Sequence, residues 1–520
     1  MVLFRYDRDT AVVETDKGRV RGYVTRGISV FKGIPYGKAR RFHAPEEAES
    51  WTGTLDATSF GFVCPLLSVD KPGGELLVPH RFWPADEDCL NLNVWTPGTD
   101  GKKRPVLVWL HGGGYSAGSA IEHIAYEGEN MARYGDAVVV TVNHRLNILG
   151  YLDLSAFGEE YANSGNAGGD DLIAALRWVR NNIAGFGGDP GNVTVFGQSG
   201  GGGKVTTLLQ SPAADGLFHR GFNMSGVIGK LSVGETLSGE DIGKALLSDL
   251  KLSGVKAMES VPLHDLFASY RRVAPALQAQ GKYVGCHPKQ NRFYAGDPCR
   301  VGFRPETAHI PLLVGSVFGE FASFAPFPYD RSARGAEAEA VLAGLCGADQ
   351  AGALLSLFRE AYPERPPLDV INLDTLFREP EIEYIRLRSE VCPQTWSYLF
   401  NQDMPLDGGR TPWHCADIPF VFRNTEFTPY TRMEGVTELL EKQIFESVMA
   451  FARTGDPNND AVPAWAPCTP EKETVMIFDA HTRTAVNYDH ALIPAAAAAQ
   501  AEMQARRRAA GGEGKVQIQH

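Results

Sequence analysis

Ser199 stands in Gly197-Gln198-Ser199-Gly200-Gly201, a serine with glycine two places before it and two places after it. That spacing fits a nucleophile elbow, a sharp strand-to-helix turn that lifts a hydroxyl above a sheet and admits only small residues on either side. The helix opening behind such a serine presents a positive dipole end where an oxyanion would form. The motif alone is weak, because chance predicts fewer than one in a chain with 56 glycines, and this chain has a second match in Gly114-Tyr115-Ser116-Ala117-Gly118. Context separates the two. Ser199 follows the apolar run Val193–Phe196 directly, whereas Ser116 lies behind His111-Gly112-Gly113-Gly114, which itself follows the run ending at Leu110. Consecutive glycines at a strand end let backbone N–H groups approach a substrate carbonyl, so this loop reads as an oxyanion hole.

A serine hydroxyl is a poor nucleophile until a base takes its proton, and the base needs a carboxylate to orient it. In this architecture the chain order is serine, acid, histidine. Candidate acids lie past strand ends after residue 225, and Glu320, beyond Pro311-Leu312-Leu313-Val314-Gly315-Ser316, is one of them. Among 13 histidines, His414 closes the loop Gly408-Gly409-Arg410-Thr411-Pro412-Trp413-His414, after the run Trp396–Asn401. His219, His264 and His309 fall in helical or strand-entry contexts and read as structural. The residues alone leave other acids and bases open.

The elements that must position these groups are legible in outline. Pro105–Leu110 and Ala137–Val142 are continuous apolar runs, as expected of strands covered on both faces in a parallel sheet. Leu172–Ile183 has helical spacing and leads through a Gly/Pro breaker at 185–191 into a third such strand. Strand, helix, strand in this rhythm predicts an open α/β sheet. Val12–Glu14 and Val20–Tyr23 flank a hairpin turn at Asp16-Lys17-Gly18. Sheet-type runs return at Val475–Phe478 and Ala485–Tyr488. Segments of about 228–300 and 330–385 turn mainly helical, with Ala245–Leu252 and Ala353–Ala361 as examples, and read as excursions covering the active-site end. Residues 1–490 are expected to form one domain, and 491–520 an alanine-rich helix with a flexible tail.

Composition excludes several classes. At 520 residues, 43% hydrophobic and 22% charged, the chain can bury a large core and is neither disordered nor fibrous. A net charge of −12 gives no footing for nucleic-acid binding. No apolar stretch approaches the length of a membrane span, and charges within Met1–Asp9 break any secretory signal, so a cytoplasmic protein is expected. Eight cysteines without a C-x-x-C pair, and no histidine–carboxylate cluster at ligand spacing, predict no metal and no cofactor.

Further segments carry a resemblance. Phe31-Lys32-Gly33-Ile34-Pro35-Tyr36, Glu87-Asp88-Cys89-Leu90-Asn91-Leu92-Asn93-Val94, Asn143-His144-Arg145-Leu146, Phe186-Gly187-Gly188-Asp189-Pro190 and Phe451-Ala452-Arg453-Thr454-Gly455-Asp456-Pro457-Asn458 resemble the type-B carboxylesterases, the cholinesterase-like branch of the α/β-hydrolases, over about residues 13 to 480. The resemblance implies an α/β-hydrolase fold and a serine esterase of small-molecule esters, acting through an acyl-enzyme as a monomer or homodimer. It places the nucleophile at Ser199, the acid at Glu320, the base at His414 and the oxyanion donors at the backbones of Gly113, Gly114 and Gly200. The same triad in a thioesterase, amidase, lactonase or acyltransferase is the main alternative, and a non-catalytic scaffold a lesser one.

The chain departs from that pattern in three places. Gln198 replaces the usual glutamate, Gly319-Glu320-Phe321 replaces Asp-Glu-Gly, and Lys204 stands where a small residue is usual. Lys204 is expected to be solvated, the sharper alternative being a pair with a pocket carboxylate. Cys64 and Cys89 match the family's first disulfide, but a cytoplasmic setting predicts two neighbouring reduced thiols. Cys415 is expected to serve packing.

Overall fold

The uninterrupted valine and leucine runs are the centre of the sheet. Val106–Leu110 and Val138–Val142 are buried throughout, as strands covered on both faces must be. The computed structural model describes residues 3–67, 77–229 and 235–509 and gathers such runs into a sheet of 12 strands. Along the chain these are β1 Phe4–Arg5, β2 Tyr23–Thr25, β3 Ile28–Pro35, β4 Asn91–Thr96, β5 Arg104–Leu110 and β6 Val138–Val142. They continue as β7 Gly188–Gln198, β8 Arg220–Met224, β9 Leu312–Val317, β10 Thr395–Phe400, β11 Thr474–Phe478 and β12 Arg483–Val486. Their spatial order is β1-β2-β3-β4-β6-β5-β7-β8-β9-β10-β11-β12. Every pairing from β6 to β11 is parallel, and the flanking pairs are antiparallel. This is the α/β-hydrolase fold expected from the sequence. The hairpin read near residue 17 is present, but Val12–Thr15 and Gly18–Arg21 belong to a separate small sheet.

From β5 the chain leaves toward β6 on one side, whereas from β7 it leaves toward β8 on the other. The carboxyl ends of β5 and β7 therefore bound a crevice, the place where open α/β sheets bind ligands.

The period-two alternation of the strands divides the core. Val106, Val108 and Leu110 share one face with helix α1 (Ala167–Asn182) and helix α2 (Gly200–Leu209), through Leu176, Val179, Val205 and Leu208. Leu107, Trp109 and Phe196 face the other way, onto Ile444, Val448 and Phe451 of helix α3 (Thr437–Thr454). The excursion between β8 and β9 contains Glu240–Asp249 and Leu263–Gln278, and that between β9 and β10 contains Gly335–Cys346, Ala348–Ala361 and Arg378–Val391. The alanine-rich stretch forms helix α4 (Leu492–Ala509), which buries Leu492, Ile493, Ala496 and Ala499 in a cluster with Leu354 and Phe358. Residues 510–520 lie outside the described residues. Among the described residues no helix is long and apolar enough to cross a membrane.

Candidate active site

Each candidate side chain sits just past the carboxyl end of a parallel strand. His111–Gly114 follows β5, Ser199 follows β7, Glu320 follows β9 and His414 lies in the loop after β10. The glycines around Ser199 are required by contact. A Cβ on Gly197 would lie 2.5 Å from the Leu110 carbonyl oxygen, and one on Gly201 would lie 1.9 Å from the same atom. Ser199 itself takes φ 59° and ψ −126°, a conformation costing a non-glycine residue on the order of 1–3 kcal/mol. Its backbone N–H is anchored to the Met224 carbonyl at 2.8 Å, and α2 begins at the next residue.

The glycine loop faces this turn closely. A Cβ on Gly200 would meet the Gly114 carbonyl oxygen at 2.0 Å, so the two backbones are in contact. Gly113 and Gly114 have φ of 82° and 61°, left-handed conformations that glycine adopts without penalty. Ser116, the rival motif, lies in the turn closing this loop, its N–H bonded to the Gly113 carbonyl at 3.2 Å.

Glu320 and His414 meet. A hydrogen bond joins His414 Nδ1 to Glu320 Oε2. The other carboxyl oxygen accepts from Ser225 Oγ at 2.6 Å and from the Val317 N–H at 2.8 Å. Two main-chain bonds stitch the acid loop to the histidine loop: Gly319 N–H to the Pro412 carbonyl at 3.1 Å, and His414 N–H to the Glu320 carbonyl at 3.1 Å. Gly319 is the only residue that fits between them, since a Cβ there would meet Ser323 Oγ at 1.9 Å. In this chain the close approach that requires glycine therefore falls before the glutamate, and Glu320 itself takes φ 39°. Phe321 packs its ring 4.3 Å from the imidazole, and Phe377 stacks on it at 5.1 Å.

Burial governs the charge of this pair. It pushes the Glu320 carboxyl up, against the pull of its two donors, and the His414 imidazole down to about 4. Loss of water works against the charge on each group, while the hydrogen bond at Nδ1 favours Glu320 as the carboxylate acceptor and leaves Nε2 of the neutral ring to take a proton.

Some contacts were not legible in the sequence. The Gln198 side-chain amide lies 3.3 Å from Nδ1 and 3.2 Å from Nε2 of His414. Its carbonyl oxygen accepts from Cys415 Sγ at 3.2 Å, so Cys415 steadies Gln198 while burial holds its thiol well above the usual range. Among the described residues no hydrogen bond joins the imidazole to the Ser199 hydroxyl; Gln198 holds the ring instead. Ser225, in the first position after β8, was findable as a polar residue at a strand end. Asp417 was visible three residues beyond His414, and it accepts from Tyr398 Oη at 2.8 Å.

A cavity of ≈ 130 Å³ opens on Ser199, Gly114 and Gly200, with Tyr115, Glu235, Tyr294 and Tyr384 among its walls. Of Tyr115, Phe318, Phe321, Phe324 and Phe327, aromatic residues whose place in the sequence fits either a pocket wall or the core, only Tyr115 lines this cavity. Phe318 packs into the core against Phe358 and Tyr362, and Phe321 covers His414. A larger groove of ≈ 610 Å³ near Asp170 and Trp178 touches none of the candidate residues.

Lys204 is not solvated. Its side chain is fully buried, and Nζ donates to the His111 carbonyl at 2.8 Å. A lysine just inside a helix reads as exposed; here α2 runs under the β5 loop and covers it. Cys64 and Cys89 are free buried thiols, with a hydrogen bond between them. Among the described residues the one trio of metal-ligand types within reach of each other, Glu473, Asp489 and His490, is filled by the Arg378 guanidinium, which pairs with both carboxylates at 2.8 Å.

Comparison with known proteins finds relatives over nearly the whole chain. The sequence model of the Carboxylesterase family matches residues 9–355 and 359–493. The chain is 33% identical over 490 residues to the para-nitrobenzyl esterase of Bacillus subtilis (strain 168), covering 90% of this chain and 94% of that one. It is 31% identical to the phenmedipham hydrolase of Pseudarthrobacter oxydans over 485 residues, with 90% and 94% covered. Among solved structures, an esterase from anaerobic Clostridium hathewayi, described as able to hydrolyze aliphatic aromatic polyesters, superposes with a TM-score of 0.92 at 49% identity. That match covers 95% of this chain and 99% of the other.

Proposed function

The chain belongs to the carboxylesterase family and is a carboxylic ester hydrolase, and on that premise we propose that Ser199 is its nucleophile, His414 its general base and acid, and Glu320 the carboxyl group that orients the ring. The backbone N–H groups of Gly113, Gly114 and Gly200 are the oxyanion hole. The observation that carries this reading is the Glu320–His414 hydrogen bond, set on stitched loops at the same sheet edge as the strained turn of Ser199.

An ester bound in the cavity places its carbonyl carbon over Ser199 Oγ. The imidazole exchanges its contact with Gln198 for one with the serine hydroxyl, a tightening common when substrate completes a site. His414 takes the proton as Oγ attacks, and the three amides receive the charge that develops on the carbonyl oxygen. The tetrahedral intermediate collapses, His414 protonates the departing alkoxide, and an acyl-serine remains. Water, deprotonated by the same ring, attacks the acyl carbon and returns Ser199 with release of the acid.

The neutral Gln198 alters one term. A glutamate there would add a negative charge beside the imidazolium, whereas the amide adds only a dipole. Stabilisation of the charged ring therefore rests on its hydrogen bond to Glu320 and on the fields of Asp417 and Asp374.

Substitution of Ser199 by alanine tests the assignment. Turnover of p-nitrophenyl acetate should fall on the order of 10⁴-fold or more with the fold unchanged. An organophosphate should add once, at Ser199, by peptide mass spectrometry. Near wild-type turnover in the variant, or an adduct elsewhere, defeats the proposal. A chain-length series of p-nitrophenyl esters, with a soluble aromatic polyester oligomer and matched thioester and anilide arms, then defines the acyl and leaving groups accepted.

A further inference from the structure

Lys204, the fifth residue of α2, reaches from the helix behind the elbow to the loop that faces it. Its acceptor is a main-chain carbonyl rather than a carboxylate, and its side chain is wholly buried. An apolar side chain of similar length would fill this space at lower cost, because an ammonium without a paired charge is expensive to bury. What the lysine holds is the His111–Gly112 peptide, the last fixed unit before Gly113 and Gly114. Those two residues sit in left-handed conformations with glycine's freedom to swing, so the aim of their amides depends on how the loop is anchored. On the same side, His111 and His144 stack with ring centroids 5.0 Å apart, and their Nε2 atoms have no hydrogen-bond partner.

We propose that Lys204 is a positioning residue for the oxyanion hole. By holding the His111 carbonyl it fixes the direction of the Gly113 and Gly114 amides, and it sets a positive charge behind them. The inference rests on the roles given above to Ser199 and the glycine loop.

The charged groups that face Lys204 set its titration. Burial lowers it to about 7, Glu122 and, less strongly, Cys64 raise it, and the stacked His111 and His144 are themselves pushed well below their usual range by burial and by Lys204. The Tyr115 ring lies 6.0 Å away. The amine is therefore charged below about pH 7 and loses its charge above it, which places a falling alkaline limb on kcat.

The test compares wild type with K204M, which keeps length without donor or charge. With p-nitrophenyl acetate, kcat should fall by about 10- to 100-fold while KM changes less than about threefold, since an oxyanion donor acts mainly in the transition state. Affinity for a trifluoromethyl ketone, which places an oxyanion in the same hole, should weaken by the same factor. The alkaline limb should be present in wild type and absent in K204M. A folded K204M with kcat within about twofold of wild type, or a loss confined to KM, overturns the proposal. If K204M lacks a cooperative melt, K204Q takes its place in the same assays. If that also fails, the wild-type profile decides, and a kcat flat from about pH 6 to 9 overturns the proposal. Organophosphate labelling separates this result from the parent reading: label on Ser199 with unaltered K204M kinetics rejects only the role of Lys204, whereas no label on Ser199 in wild type rejects the nucleophile.

Discussion

The two halves of the site are built from different material. Around Ser199 the parts are backbone and glycine: Gly113, Gly114, Gly197, Gly200 and Gly201 let main chains touch where any Cβ would collide or strain. Around His414 the parts are side chains, each held by another: Glu320 by Ser225, and Gln198 by Cys415. The first half fails when an atom is added, and the second when a partner is removed. Electrostatics follows the same division. Amides present fixed dipoles that need no adjustment as charge appears, whereas the buried imidazole must change charge during the reaction and so depends on its neighbours.

The sharpest challenge to the side-chain half is Glu320→Gln. It keeps the shape but loses the carboxylate that selects the ring's tautomer, and kcat should fall by about 10³- to 10⁴-fold. A loss below about tenfold in steady-state assay would move the acid role to another residue, Asp417 or Asp374 first. The backbone half is challenged by Gly201→Ala, which drives a methyl toward the Leu110 carbonyl. Displacing the elbow should cost about 10²-fold in kcat and lower the melting temperature. Turnover and melting curves like those of wild type would show that the glycine packing is slack. Ser225→Ala removes one of the two donors to Glu320 and should cost about tenfold in kcat, with KM nearly constant. Equal rates in stopped-flow acylation would mean that the Val317 N–H suffices alone. The smallest effect is on pH dependence. Burial holds the imidazole at about 4, and the ring loses its role as acceptor only as pH falls through that value. kcat/KM should therefore persist to about pH 5 and decline below it, and a midpoint near an ordinary histidine value would contradict the burial argument.

The backbone half was the more legible in sequence. Continuous apolar runs announced β5, β6 and β7, and the glycine clusters at their ends could be read as turns because glycine's role is local. Glu320 and His414 were legible by position after β9 and in the loop after β10. What set their geometry was not, because the stitching of Gly319 to Pro412 and the grip of Ser225 on Glu320 join residues more than ninety positions apart in the chain. Lys204 shows the same limit from the other side. A charged residue in the first turns of a helix reads as solvated until the path of the β5 loop is known. Phe318 and Phe321 fitted pocket wall and core equally well, because an aromatic residue near a strand end says nothing about which side of the sheet it joins.

The pair of main-chain bonds between the loops after β9 and β10 makes the proton-handling groups a single cassette. Recombination with a homologue that exchanges only one of these loops would separate Gly319 from Pro412, even where both parents have the same acid and base. Chimaeras that carry residues 317–324 and 411–415 together from one parent should keep activity more often than those with a crossover between them. The useful unit of exchange is set by hydrogen bonds across the sheet edge, not by proximity along the chain.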